Sequence, residues 1–402
     1  MTGKPRLLFI SASSGLYGAE QCLIETLKGL GQGEYDATVL VPKDGPLKAR
    51  IESLGIPAIV FDLKWIGGDG RVLEGIRGLP GRVSKLMRLI DEKGIDLVFS
   101  NSSVVLDGAL AAKLRRVPHV WHIHEGPLYG MKGNAKRLLR SLAVTMLSKR
   151  VITVSKGACE FFSLFGKGKF RTIYNGVEAA PLSVEESRAD FRQEFGLDPG
   201  RPVAAMIGSI LENKGQMDFI EAARIIEEKG MRISYLVVGS GNKAYTERLK
   251  ERVRACGIEG SFRFAGFRPD VPYIMRNIDL FVLASRREPF GRVITEAMAS
   301  AKPVVATRSG GPDEIVKDRV TGLLVPSSSP EALARAIEEI LTLPDRGAQM
   351  GLRGREAAEG LFSLREYQRR IVETIDDALG SARPAGLKAT LKANRPRRPG
   401  AY

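Results

Sequence analysis

With 402 residues, 44% hydrophobic and 27% charged, the chain has a soluble globular composition and is too long for one comfortable core, so two domains with additions are expected. Three scattered cysteines (Cys22, Cys159, Cys256) without a C-x-x-C pair exclude a disulfide scaffold and read as small apolar residues in a reducing cytosol. No segment approaches the roughly 18 apolar residues of a membrane span, and the first apolar run is too short for a signal-peptide core. The formal charge of +15 is uneven: the last 20 residues carry six Lys/Arg and no acid, and residues 64 to 150 carry 16 Lys/Arg against 7 Asp/Glu. Such a surface suits anionic lipid, nucleic acid or a polyanionic acceptor, with solubilising charge as the plain alternative.

In chain order, strands are expected at 6–11, 37–41, 58–61, 97–100, 117–122 and 151–154, then at 203–207, 234–238, 262–264, 280–284, 303–306 and 322–325. Helical periodicity fills the intervals, as at 19–30, 47–54, 217–229, 243–256 and 293–301. Repeated alternation means mostly parallel sheets covered on both faces, and two such series imply two doubly wound α/β domains. The expected division is 1–177, a linker at 178–186, 187–363, and a C-terminal helix at 364–380 able to return to the N-terminal domain. Residues 381–402 form a basic tail with no core-forming pattern, expected to be disordered. The segments 64–88 (with Trp65, Gly67, Gly68 and Gly70) and 131–150 mix basic and apolar residues. Each reads either as an amphipathic helix on a bilayer or as an ordinary surface helix with one buried face.

The densest motif follows the strand at 280–284: Ser285-Arg-Arg-Glu288-Pro-Phe290-Gly291-Arg292-Val293 leads into a helix. With the strand at 303–306 this makes a βαβ unit. Its loop and helix start lie at the carboxyl edge of a parallel sheet, where open α/β folds bind ligands. Glu288 falls on the loop and Glu296 about two turns into the helix. Two carboxylates to accept from hydroxyls, beside backbone N–H groups that donate to phosphate oxygens, suit a sugar nucleotide.

Other motifs sit at strand ends in order: Gly15-Leu-Tyr-Gly18-Ala-Glu20, His124-Glu125, Tyr174-Asn-Gly-Val177, Gly208 to Lys214-Gly215, Val238-Gly239-Ser-Gly241, Ala265-Gly266-Phe267-Arg268 and Gly310-Gly311 with Glu314. Each alone is a weak signal. Together they resemble the retaining, GT-B-fold glycosyltransferases of family 4, also called glycosyl transferases group 1. The resemblance extends to about residue 380 and is strongest in the second half. It implies two Rossmann-like doubly wound domains facing each other across a cleft. Three departures stand out: Ser209 where the family commonly has Arg, Glu178 where Asp is usual, and Ala301 where Gly is common.

The resemblance implies a nucleotide-sugar co-substrate, UDP- or GDP-linked, and neither a cofactor nor a metal. Donor contacts are expected from Gly15, Gly18, Ser209, Gly239, Gly241, Phe267, Arg268, Phe290, Gly291, Arg292, Val293 and Glu296, with Glu296 on the ribose hydroxyls. Catalytic roles fall to Lys214 on the diphosphate, where charge grows in the transition state, to Glu288 on the transferred sugar, and to His124. With Ser209 in place of Arg, a second cation is expected from Arg292, Arg287 or Arg268. Retention leaves a covalent intermediate and same-face attack both open, and the second is favoured. The only histidines are His119, His122 and His124. His122 and His124 share a strand face but lack a third zinc ligand nearby, and there is no Asp-x-Asp triplet for a Mg²⁺-diphosphate. Expected partners are the donor, a glycan or lipid-linked acceptor and an anionic membrane surface. Nucleic acid is not expected. The expected location is the cytoplasm, with a peripheral place at the inner membrane face. Two alternatives stay open: an epimerase or hydrolase of the same fold, and a non-catalytic protein binding a nucleotide sugar or nucleic acid.

Overall fold

The computed structural model describes residues 3–31, 33–65, 76–126, 134–179 and 188–380. The expected tail lies wholly, and the expected linker mostly, outside the described residues, as do Gly67, Gly68 and Gly70. The chain divides into two compact units, Met1–Gly176 with Leu364–Tyr402, and Val177–Ser363.

Unit 1 is built on a parallel sheet of seven strands in the order β3-β2-β1-β4-β5-β6-β7. These are β1 Arg6–Ser11, β2 Asp36–Val41, β3 Ala58–Val60, β4 Leu97–Asn101, β5 His119–Ile123, β6 Arg150–Thr153 and β7 Phe170–Thr172. Leu7, Leu8, Phe9 and Ile10 are all buried, because both faces of the sheet are covered. Leu7 and Phe9 pack with Leu23 and Leu27 of the helix Gly18–Lys28 and with Ile371 and Ile375 of the helix Leu364–Leu379. Leu8 and Ile10 pack on the other face, with Val83, Leu86 and Ile90 of the helix Leu79–Lys93. That helix spends its apolar face inside the unit, and its Arg82 pairs with buried Asp107 at 2.6 Å. The bilayer reading of 64–88 therefore does not hold for Leu79–Lys93. Strand β7 was not expected. It is a three-residue, half-buried edge strand whose Phe-Arg-Thr shows no apolar run.

The C-terminal helix is part of unit 1. The Tyr367 hydroxyl meets the Thr26 hydroxyl at 2.7 Å and the Cys22 carbonyl at 3.0 Å, and the Tyr35 hydroxyl donates to Asp376 at 2.6 Å. Arg150 and Arg171 both donate to Asp377.

Unit 2 holds a parallel six-stranded sheet in the order β10-β9-β8-β11-β12-β13. These are β8 Val203–Ile207, β9 Ser234–Val238, β10 Phe262–Gly266, β11 Leu280–Leu283, β12 Val304–Arg308 and β13 Leu323–Pro326. The order turns back between β8 and β11, which makes the carboxyl ends of those two strands the topological switch point. Beyond the expected end at 264, β10 continues through a register shift between Phe264 and Gly266.

Ile375 is fully buried against both helical and sheet residues of unit 1. Ile375→Ala is expected to cost about 2–5 kcal/mol. Hydrogen-exchange mass spectrometry should show faster exchange in β1 and β4 and unchanged exchange in β8 and β11.

Candidate functional site

The carboxyl edge of the unit 2 sheet is shaped by backbone contacts that only glycine allows. Gly208 (φ 149°) and Gly239 (φ 141°) lie in the region closed to side chains. A Cβ on Gly239 would overlap the Gly208 carbonyl, one on Gly241 the Ile210 carbonyl, and one on Gly215 the Ala284 carbonyl. The loops after β8, β9 and β11 are thereby drawn together. A single turn of 3-10 helix, Glu212–Lys214, then aims Lys214 across the switch point.

Lys214 meets Glu288 there, Nζ to Oε2 at 2.7 Å, and the Ser285 hydroxyl donates to the same carboxylate at 3.2 Å. The Glu288 side chain is 11% exposed and that of Lys214 27%, so the pair is accessible from one side. The Glu288 backbone is fixed through its N–H to Ser309 at 2.9 Å and its carbonyl to the Gly311 N–H at 2.7 Å. Gly291 (φ 98°) starts the helix Arg292–Ala299, on which Arg292 donates to Glu296 at 2.8 Å.

The structure places the remaining sequence candidates as follows. Ser209 turns its carbonyl to Gln216 at 2.9 Å. Phe267 is exposed, whereas Phe290 is buried edge-on against Phe362 and supports the loop from within. Val293 is half-buried at the helix start. Of the three candidate cations, Arg268 is held by Asp270 and Glu194 and stacks on Phe195, and Arg292 is engaged by Glu296. Arg287 is exposed. Ser285 was missed; a serine just before the Arg-Arg-Glu288 stretch carried no signal of its own.

The corresponding edge of unit 1 is a hydrogen-bonded polar cluster. His124 Nε2 meets Asn101 Oδ1 at 2.9 Å, and Asn101 Nδ2 donates to the Ala19 carbonyl at 2.9 Å, tying β4 and β5 to the Gly15–Gly18 loop. Glu125 accepts from the hydroxyls of Ser102 and Ser103, and Arg140 donates to Ser103 at 2.6 Å. Ser102 adopts φ 129°, a strained conformation for a residue with a side chain, which turns its hydroxyl to Glu125. Asn101, Ser102 and Ser103 were not singled out in the sequence, since their roles arise only when β4 and β5 lie side by side, and Arg140 was read only as one of the basic residues of 131–150. Tyr17 is exposed and lies over Gly15, while a Cβ on Gly18 would meet nothing within 4 Å. Burial pushes His119 down to about 3 and His122 well below the usual imidazole range, so both are neutral core residues. Among the described residues no group of three His, Cys, Asp or Glu could hold a metal ion, and no helix is long and apolar enough to cross a membrane.

The family model described as Glycosyl transferases group 1 matches residues 187–357, and that described as Glycosyltransferase Family 4 matches residues 17–180. The chain is 34% identical over 162 residues to the lipopolysaccharide core biosynthesis glycosyltransferase LpsE of Rhizobium meliloti, covering 40% of this chain and 46% of that protein. It is 29% identical over 316 residues to the GDP-mannose-dependent alpha-(1-6)-phosphatidylinositol monomannoside mannosyltransferase of Mycolicibacterium smegmatis, covering 74% and 80%. The chain thus spans about half the length of the first relative and most of the second. The crystal structure of Anabaena HepE in complex with UDP and glucose is similar at a TM-score of 0.79 and 26% identity, over 92% of this chain and 98% of that one.

Glu20, at the end of the first glycine-rich motif, is 4% exposed, and burial raises its carboxyl to about 7. Between pH 4.5 and about 7 the folded chain keeps a proton that the unfolded chain has released, so stability falls as pH rises through that window. Glu20→Gln is therefore expected to match the wild type near pH 4.5 and to exceed its stability above pH 7 by up to about 3 kcal/mol. Denaturant melts of both proteins across that range check it.

Proposed function

The chain belongs to the group 1, family 4 glycosyltransferases of GT-B fold, and we propose that it transfers a sugar from a UDP- or GDP-sugar to a hydroxyl, with retention at the anomeric carbon and without a metal ion. The acceptor on this reading is a glycan or a lipid-linked precursor in cell-envelope or polysaccharide synthesis. The observation that carries it is the Lys214–Glu288 pair at the unit 2 switch point, 2.7 Å apart and open on one side. A relative named as GDP-mannose-dependent and a neighbour in complex with UDP and glucose support the donor class.

As the glycosidic C–O bond breaks, its electron pair leaves with the diphosphate, and negative charge builds on oxygens that Lys214 can meet. The backbone N–H groups at the start of the helix Arg292–Ala299 add fixed positive dipole. Exposed Arg287 is our choice for the cation that Ser209 does not supply, since Arg268 and Arg292 are engaged by carboxylates. Glu288 would accept from hydroxyls of the transferred sugar and hold it for attack. The acceptor oxygen bonds to the anomeric carbon on the face the phosphate leaves, and its proton passes to the departing phosphate oxygen. Glu296 would take the ribose hydroxyls. The polar cluster of His124, Ser102, Ser103 and Glu125 gives unit 1 groups suited to hydroxyls, and we assign it the acceptor side.

Lys214→Ala is expected to lower the rate of sugar transfer by about 10²–10³-fold with the fold intact. Glu296→Ala should raise the donor KM about tenfold with little change in kcat, the cost of a charged hydrogen bond. Activity should survive EDTA, and NMR of the first-formed product should show the donor's anomeric configuration. Release of free sugar from the donor alone, at the same rate with and without acceptor, would contradict transfer in favour of hydrolysis.

A further inference from the structure

We propose that Trp65 and Tyr17 form an aromatic subsite on unit 1 that takes an uncharged pyranose ring of the acceptor, with Trp65 as the stacking platform. Both side chains are held on the segment 12–17, which leaves β1 at the carboxyl edge of the sheet. Trp65 is 52% and Tyr17 65% exposed. Each is nevertheless fixed in place. The Trp65 indole N–H donates to the Ala12 carbonyl at 2.6 Å, and Leu63, just before it, is buried among Leu8, Ile10 and Ala12. The Tyr17 ring lies so close to Gly15 that a Cβ there would overlap it. The segment is itself anchored on the loop after β2: the Ser14 hydroxyl donates to the Lys43 carbonyl at 2.7 Å, and the Leu47 N–H to the Ser14 carbonyl at 3.1 Å. An aromatic ring left open to water contributes little to folding. One that is open and also held still is pre-organised to bind, because little side-chain entropy remains to be lost.

The surroundings of the rings decide the ligand. On the flanking loops Lys48 is paired with Asp44 and Glu52, and Lys64 with Asp62, while Lys43 is exposed beside them. These cations and acids balance, so the rim favours an uncharged ligand over a phosphate or another ion. A pyranose has the matching chemistry. Its axial C–H groups make an apolar face of slight positive charge, which seats on the electron-rich face of an indole, and its hydroxyls project from the edge of the ring. Groups for those hydroxyls lie along the same sheet edge: Ala19, just past Tyr17, accepts from Asn101, and Asn101 meets His124. The inference rests on the reading of unit 1 as the acceptor side, which it deepens by giving the acceptor a neutral sugar ring.

The chain has two tryptophans, and Trp121 is fully buried, so acrylamide quenching of tryptophan fluorescence in the full chain reports on Trp65. The probes are the methyl glycosides of glucose, galactose and mannose at up to roughly 0.1 M, since a lone sugar ring binds weakly. At least one glycoside should shield Trp65 from acrylamide, and glycerol, which has hydroxyls but no ring, should not. In transfer assays with that glycoside as acceptor, Trp65→Ala should raise the acceptor KM about tenfold with little change in kcat, in the donor KM or in melting temperature. Trp65→Phe keeps a ring and should restore most of the loss. Three results would overturn the proposal: no shielding by any of the glycosides, shielding by glycerol or by UDP alone as strong as by a glycoside, or an acceptor KM unchanged in Trp65→Ala. Quenching needs no turnover, so failure of the transferase reading would show as absent transfer with the shielding intact.

Discussion

The candidate site depends on three backbone contacts that no side chain could occupy. Gly239 against the Gly208 carbonyl, Gly241 against the Ile210 carbonyl and Gly215 against the Ala284 carbonyl let the loops after β8, β9 and β11 converge at one edge of the unit 2 sheet. A methyl at any of these would collide with a peptide group, which cannot yield as the tip of a flexible side chain can. The consequence is chemical. Lys214 and Glu288, 74 residues apart in sequence, come within 2.7 Å. The isolated bridges Ile210–Gly241 and Glu288–Gly310 carry the strand geometry just past the sheet and hold that convergence in place.

The two units arrange charge at their carboxyl edges in different ways. In unit 2 a cation and an anion share a half-buried position, each offsetting the desolvation of the other, with Ser285 as a second donor to the carboxylate. Such a pair is neutral as a whole, yet it can offer an ammonium to an incoming phosphate and a carboxylate to a sugar hydroxyl. At the carboxyl edge of unit 1 His124 meets the Asn101 side chain, and Glu125 is held by two serine hydroxyls next to an arginine. One edge is suited to a charged ligand and the other to neutral hydroxyls, which matches the donor and acceptor roles proposed for them.

The fold was legible wherever a strand was buried on both faces, as in Leu7 to Ile10 or Leu280 to Leu283, because such strands are short apolar runs between turn residues. It was not legible at β7, where three half-buried residues at a sheet edge carry no pattern. The glycine-rich loops could be seen because glycine marks backbone that must turn or approach closely. Ala301 shows the converse: it adopts φ 53°, the conformation for which glycine is the usual residue, and that accounts for its standing as a departure. The choice among Arg268, Arg287 and Arg292 was closed to sequence reasoning, since it depends on which carboxylates each guanidinium meets.

The central claim is that the switch point of unit 2 receives the nucleotide sugar. Hydrogen exchange of the full chain with and without saturating UDP- or GDP-sugar tests it most directly. The account predicts that donor protects the backbone N–H groups of residues 208–215, 239–242 and 285–293, where loops and a helix start present them. Protection confined to other segments, or none with a donor that supports turnover, would contradict it.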